Sequence, residues 1–183
     1  YLNDMEGARQ GYETSLFGIS DSLFYRDFNV YIAKKFSKKF KLKLTYFNLA
    51  FNADANIITE TTGIINSNTF VLEGMIKLKA KHSLRFELQG LFTEQDRGDW
   101  AALVLEYSIS PHWFFALIDQ YNFGNSDPDE RVHYLYGTVG YIHNSTRISL
   151  AYGRQREGIF CVGGVCRAVP ASNGFNLTIT SSF

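Results

Sequence analysis

The sequence contains no run of about 18 apolar residues, which excludes a membrane-spanning helix. It has 3 prolines in 183 residues, so little interrupts extended segments. It has 2 cysteines, too few for a disulfide-dense scaffold, and they lack the C-x-x-C spacing of a zinc or redox module. Charge of one sign is absent too: 18 Lys plus Arg balance 18 Asp plus Glu. A nucleic-acid binder usually shows a basic excess, so that partner is not expected. No sequence repeat of fixed period occurs, which excludes a propeller or solenoid. The opening residues Tyr1–Gly7 have neither the basic start nor the apolar core of a secretory leader.

Aromatics, in contrast, are abundant at 16 %, with 16 Phe and 11 Tyr. The mean hydropathy of −0.14 resembles that of a water-soluble protein. It equally fits a chain of strands in which every second residue is polar.

Period-2 alternation runs along most of the chain. Gly11–Ile19 is expected as a first strand, followed by a turn at Ser20–Ser22 and a strand over Leu23–Phe36. Phe40–Asn52 places Phe40, Leu42 and Leu44 opposite Lys41, Lys43 and Thr45. The apolar parity then moves to Phe47, Leu49 and Phe51, which predicts a β-bulge near Tyr46. Ala53–Asn66 is expected as a long connection, and Phe70–Lys79 and Leu84–Thr93 as strands. Trp100–Ile109, Trp113–Phe123, Arg131–His143 and Arg147–Arg156 follow. The faces of Trp113–Phe123 and Arg131–His143 are not assignable, because both sides are apolar or mixed. Gly158–Pro170 is expected as a loop before the last strand.

That last strand is the plainest. Phe175, Leu177, Ile179 and Phe183 share one side, and Asn176, Thr178 and Thr180 the other. A strand closing on a carboxy-terminal Phe resembles the terminal signal strand that the barrel-assembly machinery of bacterial outer membranes recognises. The connections also alternate. Short ones fall near 37–39, 80–83, 110–112 and 144–145, and longer ones near 53–66, 94–99, 124–130 and 157–170. Short periplasmic turns and longer extracellular loops are the pattern of outer-membrane barrels. The expected fold is therefore all-β: an antiparallel transmembrane β-barrel of about ten strands. Residues 1–183 read as a single domain with periplasmic termini. They are either a mature chain or the carboxy-terminal portion of a longer one, whose barrel would then be larger.

Alternation does not say which side meets solvent. A soluble barrel or sandwich hides its apolar side, and a membrane barrel shows it to lipid. Large aromatics near the short turns and the terminus (Phe36, Phe40, Tyr107, Trp113, Tyr141, Phe183) favour the membrane arrangement. Under it, Lys41, Lys43, Glu73, Lys77, Arg85, Glu87, Glu106 and Arg147 face the lumen. They would line a narrow pore for polar solutes, or plug a small barrel by pairing with one another. At about ten strands the plug is preferred.

Cys161 and Cys166 flank Val-Gly-Gly-Val, which can turn tightly because glycine tolerates positive φ. An exported chain meets an oxidising compartment, so a disulfide is expected there, with a metal or redox pair as the alternative. Lys34, Lys35, Lys38 and Lys39 crowd the first short turn, either as a solvated turn or as a contact for anionic lipid or a periplasmic partner. Asp96, Asp99, Asp127, Asp129 and His133 lie near the expected outer rim, where some outer-membrane enzymes hold their catalytic groups. They form no recognisable nucleophile and base. His82, His112, His133 and His143 are scattered, so no metal site, cofactor or catalytic residue is expected.

Two stretches, Arg26–Lys39 and Tyr152–Phe183, resemble an uncharacterised family of Bacteroidota outer-membrane β-barrel proteins, whose members are longer than this chain. The resemblance implies a Gram-negative outer-membrane location and no activity. The expected role is a non-enzymatic structural or accessory component of an outer-membrane assembly. Its partners would be outer-membrane lipid, the assembly machinery and other outer-membrane proteins. The alternatives are a small porin-like channel and, least favoured, an outer-membrane enzyme.

Overall fold

A computed structural model describes residues 2–3, 25–53, 63–95, 97–162 and 165–182. The expected strand Gly11–Ile19, the turn Ser20–Ser22, Asp96 and Phe183 lie outside the described residues.

The described chain is almost entirely strand. Its elements are β1 (Leu2–Asn3), β2 (Tyr25–Lys35), β3 (Phe40–Asn52), β4 (Ile64–Lys79), β5 (His82–Phe92) and β6 (Trp100–Ile109). They continue with β7 (Trp113–Tyr121), β8 (His133–His143), β9 (Thr146–Gln155), β10 (Gly158–Val162), β11 (Val165–Val169) and β12 (Ser172–Ser181). β1 to β9 pair in chain order and β12 joins β9, giving one antiparallel sheet of 10 strands, of which β1 has 2 residues. β10 and β11 form a separate hairpin. The sheet is open: among the described residues β12 pairs only with β9, and β1 only with β2. All-β antiparallel architecture is thus present, without closure into a barrel.

Three local expectations are corrected. No register shift occurs in β3, so the bulge near Tyr46 is absent. Instead, the outer surface itself turns polar beyond Tyr46. The Tyr46 hydroxyl donates to Asn68 Oδ1 at 2.7 Å, and Asn48 Nδ2 donates to the same oxygen at 3.0 Å. Phe47, Leu49 and Phe51 turn to the opposite face along an unbroken strand. Second, β4 begins at Ile64 rather than Phe70, because Ile64–Thr69 pairs with Phe47–Asn52 despite its Asn- and Ser-rich composition. Third, the expected loop 158–170 contains the β10–β11 hairpin.

Register carries two faces across the whole sheet. One face holds Leu44, Leu72, Leu88 and Leu103 as successive partners, then Leu105 and Leu117, then Val139, Leu150 and Leu177. The other holds Lys43, Glu73, Glu87 and Val104, then Ala116, Thr138, Ala151 and Asn176. The Leu-bearing face is the exposed one. On β7, Trp113, Phe115 and Leu117 are exposed while Phe114, Ala116 and Ile118 are buried. On β3 to β5 the polarity is inverted relative to a water-soluble sheet, with large apolar side chains outside and charged ones on the shielded face, whereas on β7 the shielded face is itself apolar, filled by Phe114, Ala116 and Ile118. The shielded face is concave, because its side chains meet across intervening strands. The Arg156 guanidinium, just past β9, lies 4.3 Å from the Trp100 ring on β6. Trp100 and Tyr134 approach to 6.0 Å across β7.

Two glycines sit beneath aromatic rings. A Cβ on Gly140 would lie 2.0 Å from Phe114 Cζ, and one on Gly74 2.1 Å from Phe86 Cζ. The clashes are equal but their surroundings differ. Phe114 is buried on the inner face, whereas Phe86 is on the outer face and can swing outward. Gly140→Ala is expected to destabilise by about 1–3 kcal/mol, as overpacking does, and Gly74→Ala by less than half as much. Urea unfolding of both variants checks this order.

Candidate functional site: the charged inner face

Charged side chains concentrate where β2 to β6 approach the short turns. Antiparallel register brings residues distant in sequence side by side. Lys43 stands opposite Glu73, Glu73 opposite Glu87, and Arg85 opposite Glu106. Two carboxylates directly opposite would repel. Arg85 resolves this by contacting both: it lies 3.7 Å from Glu73 and forms an ion pair with Glu87. Lys43 Nζ adds a second cation at 3.2 Å from Glu73, and Gln89 donates to Glu87. Lys43 also lies over the Tyr31 ring, at 5.3 Å from its centroid. These groups are partly exposed, so each pair contributes only about 0–1 kcal/mol. Their main effect is to hold the side chains in one arrangement.

All eight sequence-selected charges, Lys41, Lys43, Glu73, Lys77, Arg85, Glu87, Glu106 and Arg147, occupy this same face. Lys43, Glu73, Arg85 and Glu87 are joined in the network above. Arg147 lies apart, stacked over Phe114 at 4.1 Å. Phe175, Leu177 and Ile179 occupy the exposed face of β12. Cys161 and Cys166 are register partners in the β10–β11 hairpin.

Two of the candidate rim acids, Asp99 and Asp127, do structural work. Asp99 accepts from the Thr93 amide at 2.9 Å, and Asp127 caps the short 3-10 turn Pro128–Glu130 by accepting from the Asp129 amide at 3.0 Å. His133 pairs at 2.8 Å with Asp119, a residue that sequence reasoning did not select. The pair lies on the outer face, and His133 stacks on Tyr121 at 4.2 Å. One further group was missed, and a second joins residues that were selected separately. The inner-face aromatics Trp100 and Tyr134 carry Arg156 and Arg154 at 4.3 and 4.8 Å. Lys34 and Lys35 join Lys41, Lys43 and Arg85 around a cavity of about 450 Å³. Among the described residues, no group of His, Cys, Asp and Glu is arranged to hold a metal.

A family profile matches residues 2–183. The chain belongs to DUF6029, a family of unknown function. No curated protein and no solved structure matches it. Membership in this family assigns no chemistry, so the functional reading rests on the two faces of the sheet.

Proposed function

We propose that this chain is an outer-membrane β-barrel, or the carboxy-terminal part of one, acting as a non-enzymatic structural or accessory component of an outer-membrane assembly. The observation that carries the reading is the inverted polarity. Soluble proteins rarely expose contiguous apolar patches above a few hundred Å². Here exposed Leu, Ile, Phe and Trp side chains recur on that face of β5, β7, β8, β9 and β12, while those of β6 are half-buried.

Aromatic rings on that face form two belts. Near the short turns His82, Tyr107, Phe115, Trp113 and Tyr141 follow one another at centroid spacings of 4.8–6.4 Å. Near the longer connections the chain is Tyr46, Phe70, Phe92, Phe123, Tyr121 and His133, at 4.2–6.5 Å. Trp113 and Tyr121, one in each belt, begin and end the 9-residue strand β7. At the usual rise they are about 26 Å apart, or roughly 20 Å along the membrane normal at a barrel-like tilt. That is close to the apolar band of about 25 Å that outer-membrane barrels present. In this reading the edge of β2 beyond its short pairing with β1, and the free edge of β12, are closed by further strands, and the longer connections face the cell exterior.

The paired charges of Lys43, Glu73, Arg85 and Glu87 favour a plugged interior over an open pore. The hairpin register supports a disulfide between Cys161 and Cys166, because cross-strand partners lie near bridging distance. The test is fractionation of cells expressing the full-length protein, followed by planar-bilayer recording. The expected result is an outer-membrane protein with a heat-modifiable mobility and no steady conductance. Steady single-channel current would replace the plugged reading with the channel. A protein that stays dispersed without detergent would overturn the membrane reading.

A further inference from the structure

The cavity between β2, β3, β4 and β5 is electrostatically unbalanced. Five cations line it: Lys35, Lys41, Lys43 and Arg85 from the inner face, and Lys34, which stands opposite Leu42 on the outer face. Glu73 is the only carboxylate among the lining residues, and it is already engaged by Lys43 and Arg85. Lys35 and Lys41 stand directly opposite each other across β2 and β3, on the face that also carries Lys43. Like charges placed directly opposite destabilise a strand pair. Within the sheet, that repulsion has no answer in Glu73.

We propose that this cavity binds a phosphate-bearing ligand, with Lys35 and Lys41 as its principal cations. A phosphate ester carries a charge of about −1.5 to −2 and several acceptor oxygens, which suits two lysine ammonium groups carried at facing positions of paired strands. It removes the Lys35–Lys41 repulsion by standing between them. The cavity of about 450 Å³ falls within the range of small-molecule pockets, so it admits more than the bare ion. Met75 supplies an apolar wall beside the cations. The phosphate belongs either to a free small molecule or to an anionic phospholipid headgroup; the recognition chemistry is shared. The site rests on the inner-face geometry and holds whatever surrounds the outer face.

The experiment uses the full chain in a zwitterionic detergent. One arm titrates inorganic phosphate and glycerol phosphate, read by phosphorus NMR. The other compares retention of phosphatidylglycerol and phosphatidylcholine by native mass spectrometry. Saturable binding in the first arm identifies a free phosphate, and selective phosphatidylglycerol retention identifies a headgroup. The double variant Lys35→Gln/Lys41→Gln is expected to weaken that binding by about tenfold or more. In anion-free buffer its unfolding midpoint is expected to rise, since the repulsion is gone. Lys38→Gln/Lys39→Gln removes the same charge from the neighbouring turn and is expected to leave binding unchanged. No saturable binding in either arm overturns the proposal, as does equal weakening by both double variants. A fall in the anion-free midpoint of Lys35→Gln/Lys41→Gln also overturns it.

Discussion

Leu117→Arg is expected to destabilise the folded protein in lipid by about 2–4 kcal/mol, the range for a cation on the lipid face at mid-depth. Leu117 lies midway between Trp113 and Tyr121 on β7, so it marks the centre of the proposed apolar band. Its flanking partners, Leu105 and Gly137, offer no carboxylate. The comparison variant is Gln89→Arg. Gln89 lies on the inner face and donates to Glu87, and an arginine there keeps that donation, so the expected change is under about 1 kcal/mol. The pair separates two environments. If water surrounded the outer face, an already exposed Leu117 replaced by Arg would change stability by no more than about 0.5 kcal/mol. Urea unfolding in lipid vesicles reads the difference directly. A neutral Leu117→Arg would sink the lipid-facing assignment.

Much of the architecture is legible in the sequence, because alternation is a property of each strand alone. β5 and β12 show it: Leu84, Phe86 and Leu88 oppose Arg85, Glu87 and Gln89, and Phe175, Leu177 and Ile179 oppose Asn176 and Thr178. The inner-face charges follow from the same parity. What alternation cannot carry is the direction of the faces, which depends on curvature. Nor could it resolve β7. Phe114, Ala116 and Ile118 are as apolar as Trp113, Phe115 and Leu117, since the inner face there is filled by packing rather than by charge.

The misplaced bulge at Tyr46 has a related cause. A change of apolar parity was read as an inserted residue, when the surroundings of the strand had changed. β3 continues past the ring of Phe70 into a region where Asn48 and Asn68 lie outside. Asp119 and the Trp100–Arg156 stack were invisible for another reason. Each depends on which strands become neighbours, and neither leaves a local spacing signal.

The inner face makes the opposite prediction for an aromatic side chain. Phe114→Ala is expected to destabilise by about 3 kcal/mol, and Phe115→Ala, one residue on, by less than about 1 kcal/mol. Phe114 is 2 % exposed, covers Gly140, and belongs to a cluster with Ala116 and Ile118 against which Val104 and Ile142 pack. Arg147 stacks on its ring at 4.1 Å, so truncation removes a cation–π contact as well as apolar contact area. The value sits at the low end for Phe→Ala because the long Arg147 side chain can fold into part of the space. Phe115 is on the outer face and 41 % exposed, so it leaves no enclosed cavity. The reverse order in urea unfolding would mean that the inner face is not the packed one. A double-mutant cycle tightens the test. Gly140→Ala is destabilising because its methyl meets the Phe114 ring; in a Phe114→Ala background that collision is gone. The two changes together should therefore destabilise by less than their sum, by about 1 kcal/mol or more. Strict additivity would show that the ring does not rest on Gly140.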